Sequence, residues 1–374
     1  MSHKRSTAAA AVLMAALAAG SRAQTAPAPL KDAFQKAFRI GTAVNQAQFE
    51  ERDTRGVPII KAQFNTISPE NVLKWESVHP RPDGYNFAAA DRYVEFGERN
   101  HMFVIGHTLV WHSQTPRWVF QNDNGEPADR ATLLQRMRDH IHTVVGRYKG
   151  RIGGWDVVNE ALNDDGTLRQ SPWLKIIGED FIVQAFQFAH EADPAAELYY
   201  NDYSLENPAK RKGAVELIRK LKAAGVPITA IGSQEHNALE RPTAADVDAT
   251  ITELAATGVK VNVTELDIDV LPRVTRQTGA DVNMKGDARA GSNPYADGLP
   301  DAVQQALAKR YAELFSVFWK HRDVMTRITF WGVTDGDSWL NNWPVPGRSS
   351  YPLLFDRSGG KKPAFNAVIG VAGQ

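Results

Sequence analysis

From residue 39 to residue 332 the chain alternates short, β-branched apolar runs with longer stretches whose apolar residues recur at helical spacing. The strand candidates span residues 39–43, 63–67, 103–109, 154–159, 197–200, 228–233, 259–264 and 328–332. Amphipathic helical patterns fill 131–148, 179–192, 209–224, 244–257 and 301–319. Asn207-Pro208 and Pro242-Thr243 read as helix starts, and Gly225 and Gly258 as helix stops. Alternating β and α elements imply a parallel sheet, and eight such units predict an α/β fold closed into a (β/α)8 TIM barrel as a single domain. An open doubly wound sheet would carry a glycine-rich phosphate turn after an early strand, and the sequence has none.

The 374 residues, 43% hydrophobic and 23% charged, suit one sizeable core. Lys+Arg and Asp+Glu both number 43, so no net field would draw nucleic acid or an anionic membrane. A neutral ligand and a monomeric protein are expected. Lys4 and Arg5 precede an apolar run at 8–20 and the small-x-small site Ser21-Arg22-Ala23. This pattern predicts a secretory signal peptide over 1–23; the competing reading, an uncleaved anchor, would use an apolar run short for a bilayer. Cleavage after Ala23 would leave a Pro/Ala-rich lead-in at 24–31 and a catalytic domain at 32–374, free of the membrane, in the periplasm or the medium. With no cysteine, an exported chain relies on packing alone.

Two of the apolar runs end in carboxylates, Glu160 in GWDVVNE and Glu265 in VNVTELDI. Barrel enzymes place reacting groups where strands end, and a buried carboxylate is costly without a task or a partner. Two glutamates facing one cleft meet the requirement of glycoside hydrolysis. Glu160 follows an apolar strand beside Trp155 and Asn159, where desolvation would keep its proton, so it suits the acid. Glu265 suits the nucleophile, with Asp267 and a nearby histidine to hold it ionised. Structural salt bridges at two strand ends are the competing reading. The two histidines of HTLVWH, His107 and His112, point to opposite faces of a strand and lack an acidic partner at metalloprotease spacing, so metal ligation is not expected. Aromatic rings pack on the apolar faces of sugars, which marks Trp111, Trp331 and Trp339; Trp75, Trp155, Trp173 and Trp319 read as packing.

The same motifs resemble those of the glycoside hydrolase family 10 endo-xylanases, from about residue 38 to 368. WDVVNE and VTELDI match the acid/base and nucleophile motifs of that family, and GTAVN, ENVLKWE, GHTLVWHSQTPRW, YYNDY, GSQEH, FWGVTDGDSW and YPLLFD follow in order. The resemblance implies a retaining double displacement with Glu160 as acid/base and Glu265 as nucleophile. It implies that Asn159 donates to the sugar 2-hydroxyl, that His236 hydrogen-bonds Glu265, and that Asp267 orients His236. His107 and Gln234 would line the same subsite, and Glu70, Asn71 and Lys74 would grip the next sugar toward the non-reducing end. Trp331 and Trp339 would close over the catalytic subsite, leaving little room for an exocyclic hydroxymethyl group and so favouring xylose over glucose. Gln114 would add a polar contact, and Tyr203 would stack on the leaving-group side.

Xylan and xylo-oligosaccharides are therefore the expected partners, cleaved at internal β-1,4 bonds without cofactor or metal. The alternatives are a β-glucanase or mannanase of the same architecture, or an inactive xylan-binding protein. One departure is Ser77-Val78-His79-Pro80, where many family members carry an acidic residue before the proline; position 79 is expected outside the cleft. The irregular stretch 272–300 is expected as a long loop on the catalytic face. Its Asp281, Asp287 and Asp297 lack EF-hand spacing, and a solvated loop is expected over a calcium site.

Overall fold

Parallel strands buried on both faces are predominantly apolar, and the chain supplies such strands in a closed ring. The computed structural model describes residues 28–274, 282, 286 and 291–372. In chain order the strands are β1 Arg39–Val44, β2 Thr66–Pro69, β3 Phe103–Trp111, β4 Gly154–Asn159, β5 Glu197–Asp202, β6 Ala230–Ser233, β7 His236–Ala238, β8 Lys260–Asp269 and β9 Met325–Phe330. Neighbouring strands from β1 to β6 pair in parallel, β6 pairs with β8, β8 with β9, and β9 with β1, which closes an eight-stranded barrel. The short β7 prolongs β6 after a break and pairs with the end of β8. The helices Gly56–Gln63, Ala88–Arg99, Arg130–Arg147, Phe181–Ala192, Pro208–Ala223, Ala244–Ala255, Asp301–Lys320 and Pro363–Ile369 alternate with the barrel strands. This is the expected (β/α)8 barrel.

Local chemistry sets the helix ends. The Asn207 side chain accepts from the Ala209 N–H ahead of a first turn containing Pro208, and Thr243 forms a capping box with Asp246. Gly225 and Gly258 follow their helices at φ 70° and 83°, where a side chain would be strained. Inside the barrel a Cβ on Gly106 would stand 2.1 Å from the Trp155 ring, so only glycine lets that indole fill the core. The barrel floor holds Ile105, Tyr199 and Ala230, with the buried Arg327 guanidinium 4.9 Å from the Tyr199 ring centre.

Several strand boundaries depart from expectation by two or more residues, and those of β2 and β8 bear on the site. Gln63 is the last residue of a helix, its side chain accepting from the Leu30 N–H at 3.0 Å, and β2 begins only at Thr66. The junction at 61–66 carries neither glycine nor proline, so no local stop signal marks where the helix ends. β8 extends to Asp269, so Glu265 and Asp267 lie within the strand, and its register against β9 shifts between Val263 and Leu266. Such irregularities re-aim side chains near active sites. His79 lies outside the cleft but is buried, its Nδ1 3.2 Å from His140 Nδ1, beside the His140 ring stacked on Trp75 at 3.6 Å. The expected signal peptide, Asp281 and Asp287 lie outside the described residues, and Asp297 is exposed.

Candidate active site

Glu160 follows directly on β4 at φ 56°, a left-handed conformation rare for a residue with a side chain. Its N–H donates to Asn201 O (2.9 Å), and its carbonyl accepts from Arg169 Nε (3.1 Å). The carboxylate accepts from Trp111 Nε1 at 2.8 Å on one oxygen, and from Gln234 Nε2 at 3.0 Å and Asn159 Nδ2 at 3.2 Å on the other. Burial, helped by the charges of Asp202 and Glu265, pushes its pKa up to about 7 against the opposing bonds from Gln234 and Trp111.

Glu265 is equally buried but oppositely served. Its Oε1 accepts from Asn201 Nδ2 (2.9 Å), and its Oε2 faces His236 Nε2 (3.2 Å). His236 Nδ1 faces Asp267 Oδ1 at 3.0 Å, while Asp267 Oδ2 accepts from Trp339 Nε1 at 2.7 Å. Burial opposes the imidazolium, yet Asp267 and Glu265 outweigh it and raise His236 to about 10. Burial would likewise raise Glu265, but the His236 hydrogen bond, the charges of His107 and His236, and Asn201 together hold it below the usual carboxylate range. One glutamate therefore keeps its proton near neutrality and the other stays ionised. Asn201 ties the two halves together, since its Nδ2 also donates to Asn159 Oδ1 at 2.9 Å and its Oδ1 accepts from Thr264 Oγ1 at 2.7 Å.

The other expected residues gather around this pair with one exception. Lys74, His107, Trp111, Asn159, Gln234, Trp331 and Trp339 line a single cavity with Glu160, His236 and Glu265. Lys74 Nζ donates to Asn71 Oδ1 (3.0 Å) and Gln114 Oε1 (2.9 Å), and burial lowers its pKa against the pull of Glu265, Glu70 and Glu160. Glu70 lies next along, with Asn45, Gln48, Trp331 and Asp337, and burial raises its pKa. His107 Nδ1 is 2.9 Å from Asp156 Oδ2, and Asp156 Oδ1 is 3.7 Å from Arg327. Trp111 does more than offer a ring face, because its N–H bonds the Glu160 carboxylate.

Tyr203 is the exception. It is buried, Lys210 Nζ sits 3.5 Å from its ring centre, and its hydroxyl accepts from Arg169 at 2.6 Å, which keeps it out of this lining. Asn201 and Asp156 were not singled out, although both stand in quoted motifs, YYNDY and WDVVNE. Beyond His236 and Trp339 the cleft widens into a cavity of about 540 Å³ whose walls include Asn207, Arg241 and Trp343. Among the described residues, no group of three His, Cys, Asp or Glu side chains is arranged to hold a metal ion.

A (β/α)8 barrel that brings two buried glutamates of opposed environment together at its C-terminal face has the make-up of a glycoside hydrolase of the acid–nucleophile type. The chain belongs to glycosyl hydrolase family 10, whose model matches residues 29–371. It is 47% identical to endo-1,4-beta-xylanase A of Xylanibacter ruminicola, over 91% of this chain and 92% of that protein. It is 42% identical to an endo-1,4-beta-xylanase of Geobacillus stearothermophilus, over 91% and 98%. Among solved structures, a family 10 endoxylanase retrieved from a sugarcane soil metagenome superposes with a TM-score of 0.87 at 46% identity, covering 92% of this chain and 99% of that one.

Proposed function

We infer that this protein is a retaining endo-1,4-β-xylanase, cleaving internal β-1,4-xylosidic bonds of xylan and xylo-oligosaccharides. The observation that carries the reading is the opposite environment of two buried glutamates joined through Asn159 and Asn201. Glu265 attacks the anomeric carbon as the glycosidic bond breaks, and the Glu160 proton passes to the departing oxygen. The sugar is then esterified to Glu265, whose negative charge has gone, and Glu160 loses one of the influences that kept it protonated. The Glu160 carboxylate next takes a proton from water, and the water oxygen displaces Glu265 from the anomeric carbon, so the configuration is retained. Asn159 serves the sugar 2-hydroxyl. Lys74, Asn71, Glu70 and Gln114 hold the glycone side.

Past His236 and Trp339 the cleft opens into the adjoining cavity, which gives room for a chain that extends beyond the bond cut. Trp331 and Trp339 stand against His107 and His236, and their bulk over the catalytic sugar favours a pentose. Initial rates on xylan, carboxymethyl cellulose and mannan test the substrate, and xylan turned over more slowly than both would overturn it. Binding of xylo-oligosaccharides without release of reducing ends would reduce the protein to a lectin-like module. We also propose export through the N-terminal signal: N-terminal sequencing of secreted protein should begin at Gln24, and a start at Met1 would refute it.

A further inference from the structure

Glu160 holds its pose against an unfavourable φ, so something must hold the turn, and a buried group behind it does so. The Asp202 carboxylate at the end of β5 accepts from the Leu162 N–H (3.3 Å), two residues beyond the acid, and from the Tyr203 N–H (2.9 Å). It also accepts from the Tyr200 hydroxyl at 2.5 Å, and that hydroxyl oxygen accepts in turn from the Ala161 N–H at 3.1 Å. Three consecutive N–H groups of the turn, those of Glu160, Ala161 and Leu162, thus end on β5, on Asn201 O, Tyr200 and Asp202. Behind the carboxylate Lys210 Nζ, on the helix Pro208–Ala223, pairs with Asp202 Oδ1 at 2.8 Å, and both side chains are fully buried.

We propose that Asp202, clamped by Lys210 and relayed through Tyr200, is the positioning residue that holds the acid/base turn and keeps a fixed negative charge behind Glu160. The proposal rests on Glu160 being the acid/base. A lone buried pair is weak support for stability and is often replaceable by neutral groups. This one is built into the backbone of a strained functional residue, which gives it work beyond stability. Its charge also opposes ionisation of the acid, as does Glu265 from β8, while Tyr200, itself held protonated by burial and by Asp202, adds no charge. Lys74 from the turn after β2 and His236 from β7 are cations of the same cavity, Arg169 Nε donates to the Glu160 carbonyl at 3.1 Å, and Asp164 reaches Lys210 at 3.8 Å from the loop after β4.

Replacing Asp202 alone strands the Lys210 charge, so the test uses the neutral pair Asp202→Asn/Lys210→Met, with Tyr200→Phe as a milder second variant. Rates on aryl xylobiosides of graded leaving-group ability are measured from pH 4 to 9, with Glu160→Ala alongside. In both variants the loss in kcat/KM should grow with leaving-group pKa, reaching at least tenfold for poor leaving groups and staying within about threefold for dinitrophenolate. In the neutral pair the alkaline limb should also move to lower pH. An equal loss on every leaving group with an unmoved alkaline limb would make Asp202 merely structural and overturn the proposal. If the neutral pair does not fold, the leaving-group slope of Tyr200→Phe decides alone. Should Glu160→Ala itself lose activity evenly across leaving groups, the failure lies in the acid assignment and not in Asp202.

Discussion

Asp267→Asn isolates the electrostatic support of the nucleophile. His236 lies between two carboxylates, and its rise from 6.5 to about 10 corresponds to roughly 5 kcal/mol favouring the imidazolium. Asp267 acts through both charge and hydrogen bond and is the larger contributor, so its neutralisation should remove on the order of 2–3 kcal/mol of that preference. An amide can still accept from Trp339, which leaves the Trp339–267 contact in place. With a weaker cation beside it, Glu265 binds its proton more tightly, and since catalysis requires the anion, the acid limb moves to higher pH. Hydrolysis of 4-nitrophenyl xylobioside from pH 4 to 9 should show kcat/KM rising about one pH unit later than in the wild type, with a loss that is a few-fold near pH 5 and approaches about tenfold toward the acid end. Stability supplies an independent sign. A raised histidine contributes fully below about 6.5, and the contribution is lost as pH rises through about 10, so the Tm gap to the wild type should narrow toward alkaline pH. An acid limb that stays put, or a Tm gap that does not change with pH, would refute this reasoning.

Three further outcomes follow from the same geometry. In the wild type, kcat/KM should decline as pH rises through about 7, where Glu160 gives up its proton, and a flat profile to pH 9 would contradict that role. Trp111→Phe removes a hydrogen bond that favours ionised Glu160, so the alkaline limb should move to higher pH and kcat should drop several-fold; a downward move would reverse the assigned sign. Lys362→Met strands the buried Asp335 carboxylate, which sits between Trp331 and Trp339 in sequence, and should cost about 3–5 kcal/mol in chemical unfolding. A loss under about 1 kcal/mol would show that this pair is not what anchors the loop.

The barrel was legible in the sequence because its two periodicities alternate along most of the chain, and the glutamates because each ends an apolar run. Contacts that depend on register were not. Asn159 stands opposite Asn201 across β4 and β5, and opposite Trp111 across β3 and β4, so these pairings bring the Asn201 amide and the Trp111 N–H to the glutamates. Nothing in YYNDY or in GHTLVWH states that registration. Tyr203, placed by the resemblance on the leaving-group side, lies outside the lining around the glutamates, with Ser204 at φ 51° after it and Lys210 Nζ 3.5 Å from its ring centre. The end of β8 was placed too early because VNVTELDI mixes buried acids with apolar residues, and only their partners in three dimensions make those acids tolerable inside a strand.

The assignment of the two glutamates is tested most directly by chemical rescue. Glu160→Ala and Glu265→Ala are assayed with azide on an aryl xylobioside bearing a good leaving group, and product configuration is read by proton NMR. Glu160→Ala should keep substantial activity and yield a glycosyl azide of retained configuration, because the sugar still passes through its ester with Glu265. Glu265→Ala should be nearly inactive until azide takes the place of the missing carboxylate, giving the inverted azide. Exchanged behaviours would swap the two roles, and full activity in either variant would place the chemistry elsewhere.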